Sequence, residues 1–141
     1  VIYFTPKDFS DICATEIEGY AALAEPLAQR GAVLMGGSVD NEYAKLAWRR
    51  AVPALANLNH YQFGDGAGAL VDQLGIRDRG EGVALRATFI IDPDNTIQHV
   101  SVNNLKVGRC PQETLRVLDA LLTGQFCPAN RPVGDPPSKK S

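Results

Sequence analysis

The segment of residues 1–17 constrains the fold more than any other part of the chain. It begins with the apolar run Val1-Ile2-Tyr3-Phe4, which predicts a buried strand. That strand must stop at Pro6, because proline cannot donate a hydrogen bond to a sheet. Ser10 and Asp11 are residue types that cap helices, and the apolar positions after them recur with helical spacing. The segment therefore predicts a strand, a short loop and a helix in direct succession.

Cys13 is predicted to lie in the first turn of that helix, directly after the loop. In a first turn the backbone N–H groups have no helical partner, and together with the positive end of the helix dipole they favour a negative charge. A cysteine at this position is favoured as a thiolate nucleophile. The alternative is a buried structural thiol that packs as a small hydrophobic side chain.

The remainder of the chain alternates between strand and helix patterns. The first helix is predicted over residues 11–30, and Pro26 is expected to interrupt it and to kink or weaken it there. Further predictions are strands at 32–39, 85–91 and 96–102 and helices at 42–50, 67–74 and 111–122. Residues 51–65 have a mixed pattern, with a turn signal at residues 63–66. A proline-rich segment, residues 125–141, is predicted to be an irregular arm. This order predicts an α/β chain with a central mixed β-sheet flanked by helices, as in the thioredoxin-like fold.

Composition limits the classes of partner. The chain has 141 residues, of which 45% are hydrophobic and 21% charged, with a net charge of −2. These values are typical of one globular domain and give no reason to expect a nucleic-acid or membrane partner. No stretch of about 18 apolar residues occurs. Because the chain starts inside a predicted strand and without methionine, we expect N-terminal strands to be missing from it.

Three cysteines, Cys13, Cys110 and Cys127, are scattered without the spacing of a zinc site or a disulfide scaffold. His60 and His99 are also far apart and are predicted to be structural or exposed. No metal and no cofactor is therefore predicted. An odd number of cysteines in a chain expected to be cytoplasmic points instead to redox chemistry by some of them.

Three motifs resemble those of one family. The spacing Pro6-x-x-x-Ser10-x-x-Cys13 resembles the peroxiredoxin signature, and the segment of residues 85–93, LRATFIIDP, resembles the strand that carries that family's essential arginine. Phe126-Cys127-Pro128-Ala129 resembles its resolving-cysteine motif. The chain as a whole is similar to 2-Cys peroxiredoxins of the alkyl hydroperoxide reductase C type. The resemblance implies a thioredoxin-like thiol peroxidase that reduces hydrogen peroxide and alkyl hydroperoxides.

The resemblance also implies roles for individual residues. Cys13 becomes the peroxidatic cysteine, which attacks the peroxide and forms a sulfenic acid. Ser10 hydrogen-bonds the peroxide, Pro6 shields the thiolate from water, and Arg86 is the essential arginine. The supporting positions are Glu16, which orients the arginines, Arg109, which is the second arginine, and Trp48, which is either an aromatic near the site or an ordinary core residue.

In the family, a cysteine in the arm of the partner subunit closes the cycle. By resemblance, Cys127 resolves the sulfenic acid through an intersubunit disulfide with Cys13, so the core spans residues 1–123 and the arm 124–141. The implied partners are a hydroperoxide, a thioredoxin-like or dedicated disulfide reductase, and a second copy of the chain, with a ring of five dimers as a further possibility. Cys110 is predicted to be a bystander.

The chain departs from the family pattern in two respects. Ala14 replaces the proline that usually follows the nucleophile. The Tyr-Phe helix and the Gly-Gly-Leu-Gly loop of easily over-oxidised members are absent from the sequence, so we expect an arm that opens readily and an enzyme that resists over-oxidation.

Two other functions remain to be compared with the peroxidase. One is a holdase chaperone or assembly scaffold without turnover. The other is a thioredoxin-type disulfide exchanger, which is disfavoured because Glu16 occupies the position of the second thiol in a Cys-x-x-Cys motif.

Overall fold

The fold is a five-stranded mixed sheet covered by helices, seen in a computed structural model that describes residues 1–138. The elements in chain order are β1 (Ile2–Phe4), α1 (Asp11–Ala21), α2 (Ala24–Gln29), β2 (Met35–Ser38), α3 (Glu42–Ala51), β3 (Tyr61–Gly64), α4 (Ala69–Gln73), β4 (Arg86–Ile91), β5 (Ile97–Asn103) and α5 (Pro111–Leu122), with a 3₁₀ turn at Pro53–Leu55. The strand order is β3-β2-β1-β4-β5; β1, β2 and β3 are parallel, and β4 is antiparallel to both neighbours. The predicted mixed α/β architecture is confirmed.

Two apolar clusters form the core, because successive side chains of a strand point to opposite faces of the sheet. Tyr3 of β1 belongs to the larger cluster, with residues of α1, α2, α3 and α5, and the neighbouring Phe4 belongs to the smaller one, with Val71 of α4. Cys13 is a member of the larger cluster. Helices α1 and α5 approach closely, since a Cβ on Gly19 of α1 would lie 2.8 Å from the Pro111 ring.

The helix predicted over residues 11–30 is in fact two helices, with the break at Ala22 and Leu23. Pro26 interrupts the predicted helix, which confirms that part of the prediction, although the interruption is a break one turn earlier and not a kink at the proline. Pro26 is the third residue of α2, where a backbone N–H would have no helical acceptor in any case. A proline in a first turn removes no hydrogen bond and is therefore tolerated.

Strand β3 was not predicted at all. It lies at the edge of the sheet and pairs with β2 alone. Tyr61 is 74% exposed, and Gly64 ends the strand, so neither an apolar run nor an alternating pattern marks it. The predicted strand at residues 32–39 is also shorter, because only Met35–Ser38 pairs with its neighbours.

The last described segment, residues 124–138, contains no helix or strand but is not detached from the fold. Arg131 in its middle is only 4% exposed, and the Ser138 N–H donates to the Phe126 carbonyl at 2.6 Å. The segment lies against α5 through Asp119. None of the helices among residues 1–138 combines the length and apolar character required to cross a membrane.

Protonation of the buried His60 makes the stability of the fold depend on pH. Its Nε2 lies 2.6 Å from Tyr3 Oη, and the residue is 9% exposed. Burial, and to a smaller extent the charge of Arg49, lowers the pKa of His60 from 6.5 to about 4. The unfolded chain therefore takes up a proton on His60 below its ordinary pKa, whereas the folded chain does so only near pH 4.

We expect the free energy of unfolding to fall by about 3 kcal/mol through this residue as the pH drops from about 6.5 to about 4. Urea unfolding across that range measures the slope, and His60→Gln should remove the histidine part of it. Burial also lowers the pKa of His99, a half-buried histidine on β5, so His99→Gln should reduce the slope as well, but by less than His60→Gln does. An unchanged slope in H60Q would contradict the assignment.

Candidate active site

Cys13 lies where the sequence placed it, as the third residue of α1, and is fully buried. Ser10 is the N-cap of the helix, and its Oγ accepts a hydrogen bond from the Cys13 backbone N–H at 3.4 Å. The serine hydroxyl and the thiol are therefore held at the same helix end. Pro6 is buried in the loop that precedes them.

Arg86 brings a positive charge to the sulfur. Strand β4 places the guanidinium inside the protein, where the residue is 4% exposed. Its Nη1 lies 3.4 Å from Cys13 Sγ and 2.5 Å from Glu16 Oε1, and its Nε donates to the Leu105 carbonyl at 2.8 Å. These three contacts fix the planar group in one orientation, which a lysine cannot reproduce.

Glu16 is the shared counterion of two arginines. It follows Cys13 by three residues, which places both side chains on one face of α1. Its side chain is 2% exposed; Oε1 accepts from Arg86, and Oε2 accepts from Arg109 Nε at 2.6 Å and from the Arg109 backbone N–H at 3.0 Å. One carboxylate thus compensates two guanidinium groups in a region from which water is excluded.

Arg109 extends the network to side chains that sequence reasoning missed. Its Nη1 donates to the Ala87 carbonyl at 2.6 Å, and its guanidinium carbon lies 5.6 Å from the ring centre of Tyr3 and 5.5 Å from that of Tyr20. The two rings stack 4.2 Å apart, and Tyr20 Oη lies 2.6 Å from Thr88 Oγ1. Thr88, a polar residue between apolar residues of β4, was the signal in the sequence that could have indicated this layer of Tyr3, Tyr20 and Thr88.

Trp48 packs on the loop before Cys13 and belongs to the same core cluster as Cys13. It is buried in the core, and its ring packs on Phe9 with centroids 5.7 Å apart. Phe9 has a φ of 66°, in the left-handed region that non-glycine residues rarely adopt. The stacking stabilises this strained residue directly before the Ser10 cap.

A second polar cluster anchors the same loop. Lys45 Nζ lies 3.1 Å from Asp8 Oδ1 and donates to Ser38 Oγ at 2.6 Å, while Asp40 Oδ2 accepts from the Asp8 backbone N–H and from Ser38 Oγ. Burial raises the pKa of Asp8 despite the charge of Lys45. These residues are up to 37 apart in the chain, and no local pattern indicated their contact.

The remaining two cysteines lie elsewhere. Cys127 is half-buried beside the last turn of α5, with its Sγ 3.5 Å from Thr123 Oγ1, and Cys110 is exposed at the N-cap of α5. All three cysteines are free, so the chain does not itself join Cys13 to Cys127. Within residues 1–138, no group of histidine, cysteine and acidic side chains has the arrangement of a metal site.

The charges at Cys13 determine what the site can do. Burial alone would lower the pKa of Arg86, but its hydrogen bonds to Cys13 and Glu16, and their negative charges, raise it above the ordinary value. A permanently charged guanidinium 3.4 Å from the sulfur stabilises a thiolate and can donate to an anion that leaves it. The arrangement suits attack by sulfur on an electrophile whose departing atom gains negative charge.

Comparisons with known proteins agree with this chemistry. Residues 1–100 match the model of the AhpC/TSA family. The alkyl hydroperoxide reductase C of Mycolicibacterium smegmatis is 43% identical over 96% of this chain and 69% of that protein. The human mitochondrial thioredoxin-dependent peroxide reductase is 36% identical over 100% of this chain and 58% of that protein.

Solved structures give the same result. The reduced 2-Cys peroxiredoxin of Plasmodium vivax superposes with a TM-score of 0.90 at 33% identity, covering 96% of this chain and 73% of that one. AhpC of Mycobacterium tuberculosis gives a TM-score of 0.83 at 40% identity, covering 92% of this chain and 72% of that one.

Proposed function

This chain belongs to the AhpC/TSA family of thiol peroxidases, which reduce peroxides, and from that premise we propose that Cys13 is its peroxidatic residue. The Cys13 thiolate attacks one oxygen of a hydroperoxide, and the O–O bond breaks. The sulfur is oxidised to a sulfenic acid, and the other oxygen leaves with a proton as water or an alcohol. We expect hydrogen peroxide and alkyl hydroperoxides as substrates.

The contact between Arg86 Nη1 and Cys13 Sγ, at 3.4 Å, is the observation that carries this proposal. Arg86 stabilises the thiolate before attack and the developing oxygen anion during it. Ser10 is assigned to hydrogen-bond the peroxide and Pro6 to keep water from the sulfur, while Glu16 and Arg109 position Arg86. The roles of Ser10 and Pro6 rest on the resemblance to the family, and those of Glu16 and Arg109 are supported by their hydrogen bonds in the Arg86 network.

Regeneration is assigned to Cys127. Its thiol attacks the Cys13 sulfenic acid of a second copy of the chain, forming a disulfide and releasing water. The core of residues 1–123 then performs the oxidation, and the arm of residues 124–141, of which 139–141 lie outside the described residues, delivers the resolving thiol. Cys13 and Cys127 are both free within the single chain, and by resemblance to the family we assign the exchange to a homodimer, with which a ring of five dimers is compatible.

A dithiol reductant is required to complete the cycle, because each turnover consumes two electrons. A thioredoxin-like protein or a dedicated disulfide reductase fits this need, in line with a relative named as a thioredoxin-dependent peroxide reductase. We assign the activity to the cytoplasm, where such reductants keep thiols reduced. The alternative holdase or scaffold role finds no support among relatives named as reductases and peroxidases.

The proposal is tested by adding one equivalent of hydrogen peroxide to the reduced protein and analysing it by intact mass and non-reducing electrophoresis. We expect a covalent dimer joined through Cys13 and Cys127. Cys127→Ser should give no such dimer and should leave a sulfenic acid on Cys13. Cys110→Ser, which removes the exposed third thiol, is the control and should form the dimer normally.

Each other result has a definite meaning. A wild-type monomer with sulfenic acid on Cys13 would show that Cys127 does not resolve and that the enzyme works with one cysteine. No oxidation of Cys13 would overturn the assignment of the peroxidatic residue.

A further inference from the structure

Asp119, near the end of α5, accepts hydrogen bonds from three donors in two other segments. Its Oδ1 accepts from Arg30 Nε, next to α2, at 3.3 Å. Its Oδ2 accepts from Arg131 Nη1 at 3.0 Å and from the Gly134 backbone N–H at 2.9 Å, and both of these belong to the C-terminal arm. This one carboxylate thus makes two of the contacts that attach the arm to α5.

Arg131 depends on that carboxylate. Its side chain is 3% exposed although it belongs to an irregular segment, and a buried guanidinium is costly unless it is paired. Its Nη2 donates to the Asp135 carbonyl, while its Nε has no partner among residues 1–138. Because Arg30 shares the same carboxylate, one negative charge compensates two positive ones. Removing it would leave two like charges facing each other.

Cys127 lies inside the segment that this contact holds. Its Sγ rests against the last turn of α5, 3.5 Å from Thr123 Oγ1 and 3.8 Å from the Ala120 carbonyl. The segment is closed by the hydrogen bond from the Ser138 N–H to the Phe126 carbonyl. Release of Cys127 together with the whole arm therefore requires that the contacts of Asp119 with Arg131 and Gly134 be broken as well as those of Cys127 itself.

We propose that Asp119 is a positioning residue that holds the arm closed on α5 and thereby limits how often Cys127 is available for reaction. Only the open population can deliver Cys127, and the stability of the closed contact sets the size of that population. The Gly134 N–H and Arg131 hold the pKa of the Asp119 carboxyl below its usual range, so the contact persists at neutral pH. The consequence for catalysis rests on the proposed resolving role of Cys127.

The first measurement is the alkylation of Cys127 in the reduced, full-length protein by a short pulse of iodoacetamide, quantified by peptide mass mapping. We expect Asp119→Asn to raise the rate at Cys127 about tenfold, the effect of losing one charge-assisted hydrogen bond. The alkylation rate of Cys13 should not change. This measurement depends on the arm alone and requires no peroxidase activity.

The second measurement is the rate of disulfide formation after one equivalent of hydrogen peroxide. In D119N this rate should also rise about tenfold, and the fraction of Cys13 over-oxidised to sulfinic acid should fall. The rate of the first oxidation of Cys13 should stay at the wild-type value, because Asp119 takes no part in that step.

Three further variants separate an arm contact from general destabilisation. Arg131→Gln breaks the contact from the arm side and should reproduce D119N even if D119N folds poorly. Arg30→Gln breaks only the ion pair between Arg30, next to α2, and Asp119, and it should leave Cys127 protected from alkylation. Asp72→Asn, which removes an exposed carboxylate paired with Arg77 at 2.6 Å, is the matched control and should behave as wild type.

Unchanged alkylation of Cys127 in both D119N and R131Q would overturn the proposal, as would an R30Q variant that exposes Cys127 equally. Faster alkylation with an unchanged rate of disulfide formation would overturn the proposal that the closed arm limits the reaction of Cys127 with the Cys13 sulfenic acid. Faster alkylation in a protein that forms no disulfide at all would support the Asp119 contact and refute the resolving role of Cys127.

Discussion

Replacing Cys13 with serine is expected to lower peroxide turnover by at least about 10⁴-fold, because the nucleophile is lost. A serine hydroxyl is not deprotonated near neutral pH, even beside Arg86, and attacks a peroxide oxygen far more slowly than a thiolate. The two side chains have nearly the same size, and position 13 is fully buried, so the fold should be retained.

Peroxide consumption in the presence of a dithiol reductant measures the loss, and the midpoint of urea unfolding verifies the fold. Cys110→Ser is the matched control, since Cys110 is exposed and takes no part in the network of Glu16. Its turnover should equal that of the wild type. Turnover in C13S comparable to the wild type would contradict the peroxidatic assignment. A holdase activity, by contrast, would survive C13S.

Replacing Glu16 with glutamine is expected to have the largest effect on stability. The change keeps the shape of the side chain but removes the negative charge that, within residues 1–138, contacts both Arg86 and Arg109. Breaking a buried ion pair on one side costs about 3–5 kcal/mol, because the remaining charge stays buried. We therefore expect a melting temperature lower by about 10 °C.

The same variant should also oxidise more slowly, because Arg86 loses the contact that orients it toward the sulfur. Calorimetry and the rate of Cys13 oxidation by hydrogen peroxide measure the two effects. Glu18→Gln provides the matched control, since Glu18 lies on the same helix but is exposed, and its stability should match the wild type. A Glu16→Gln protein as stable as Glu18→Gln would show that Glu16 is not the counterion described.

The elements that sequence reasoning predicted well have local signals. The start of α1 after Ser10 and the start of α5 at Pro111 depend on residues within one helical turn of the boundary. The break at Ala22 and Leu23 also has a nearby signal, because Pro26 has no N–H to donate to the Ala22 carbonyl and its ring would clash with that carbonyl in a continuous helix. The sequence did not indicate that a second helix restarts at Ala24 with Pro26 in its first turn.

The site shows a distinction between local and distant contacts. The relation of Ser10 to Cys13 follows from helix geometry, whereas Arg86 and Arg109 were identified only because their motifs resemble those of a family. The layer of Tyr3, Tyr20 and Thr88 and the cluster around Asp8 were missed, because they depend on pairs of residues that lie far apart in the chain, such as Tyr20 and Thr88, 68 positions apart, and Asp8 and Ser38, 30 positions apart. Single-sequence patterns carry no information about such pairs.

The Glu16 network also has a consequence for the nascent chain. Glu16 meets Arg86 across 70 residues and Arg109 across 93, so the charges around Cys13 assemble only after most of the chain has been synthesised and folded. Contacts of such long separation form late, since closing long loops is entropically costly. Until then the thiol has no guanidinium beside it. Unfinished and misfolded copies are therefore poor targets for peroxide, and reactivity arises together with the native fold.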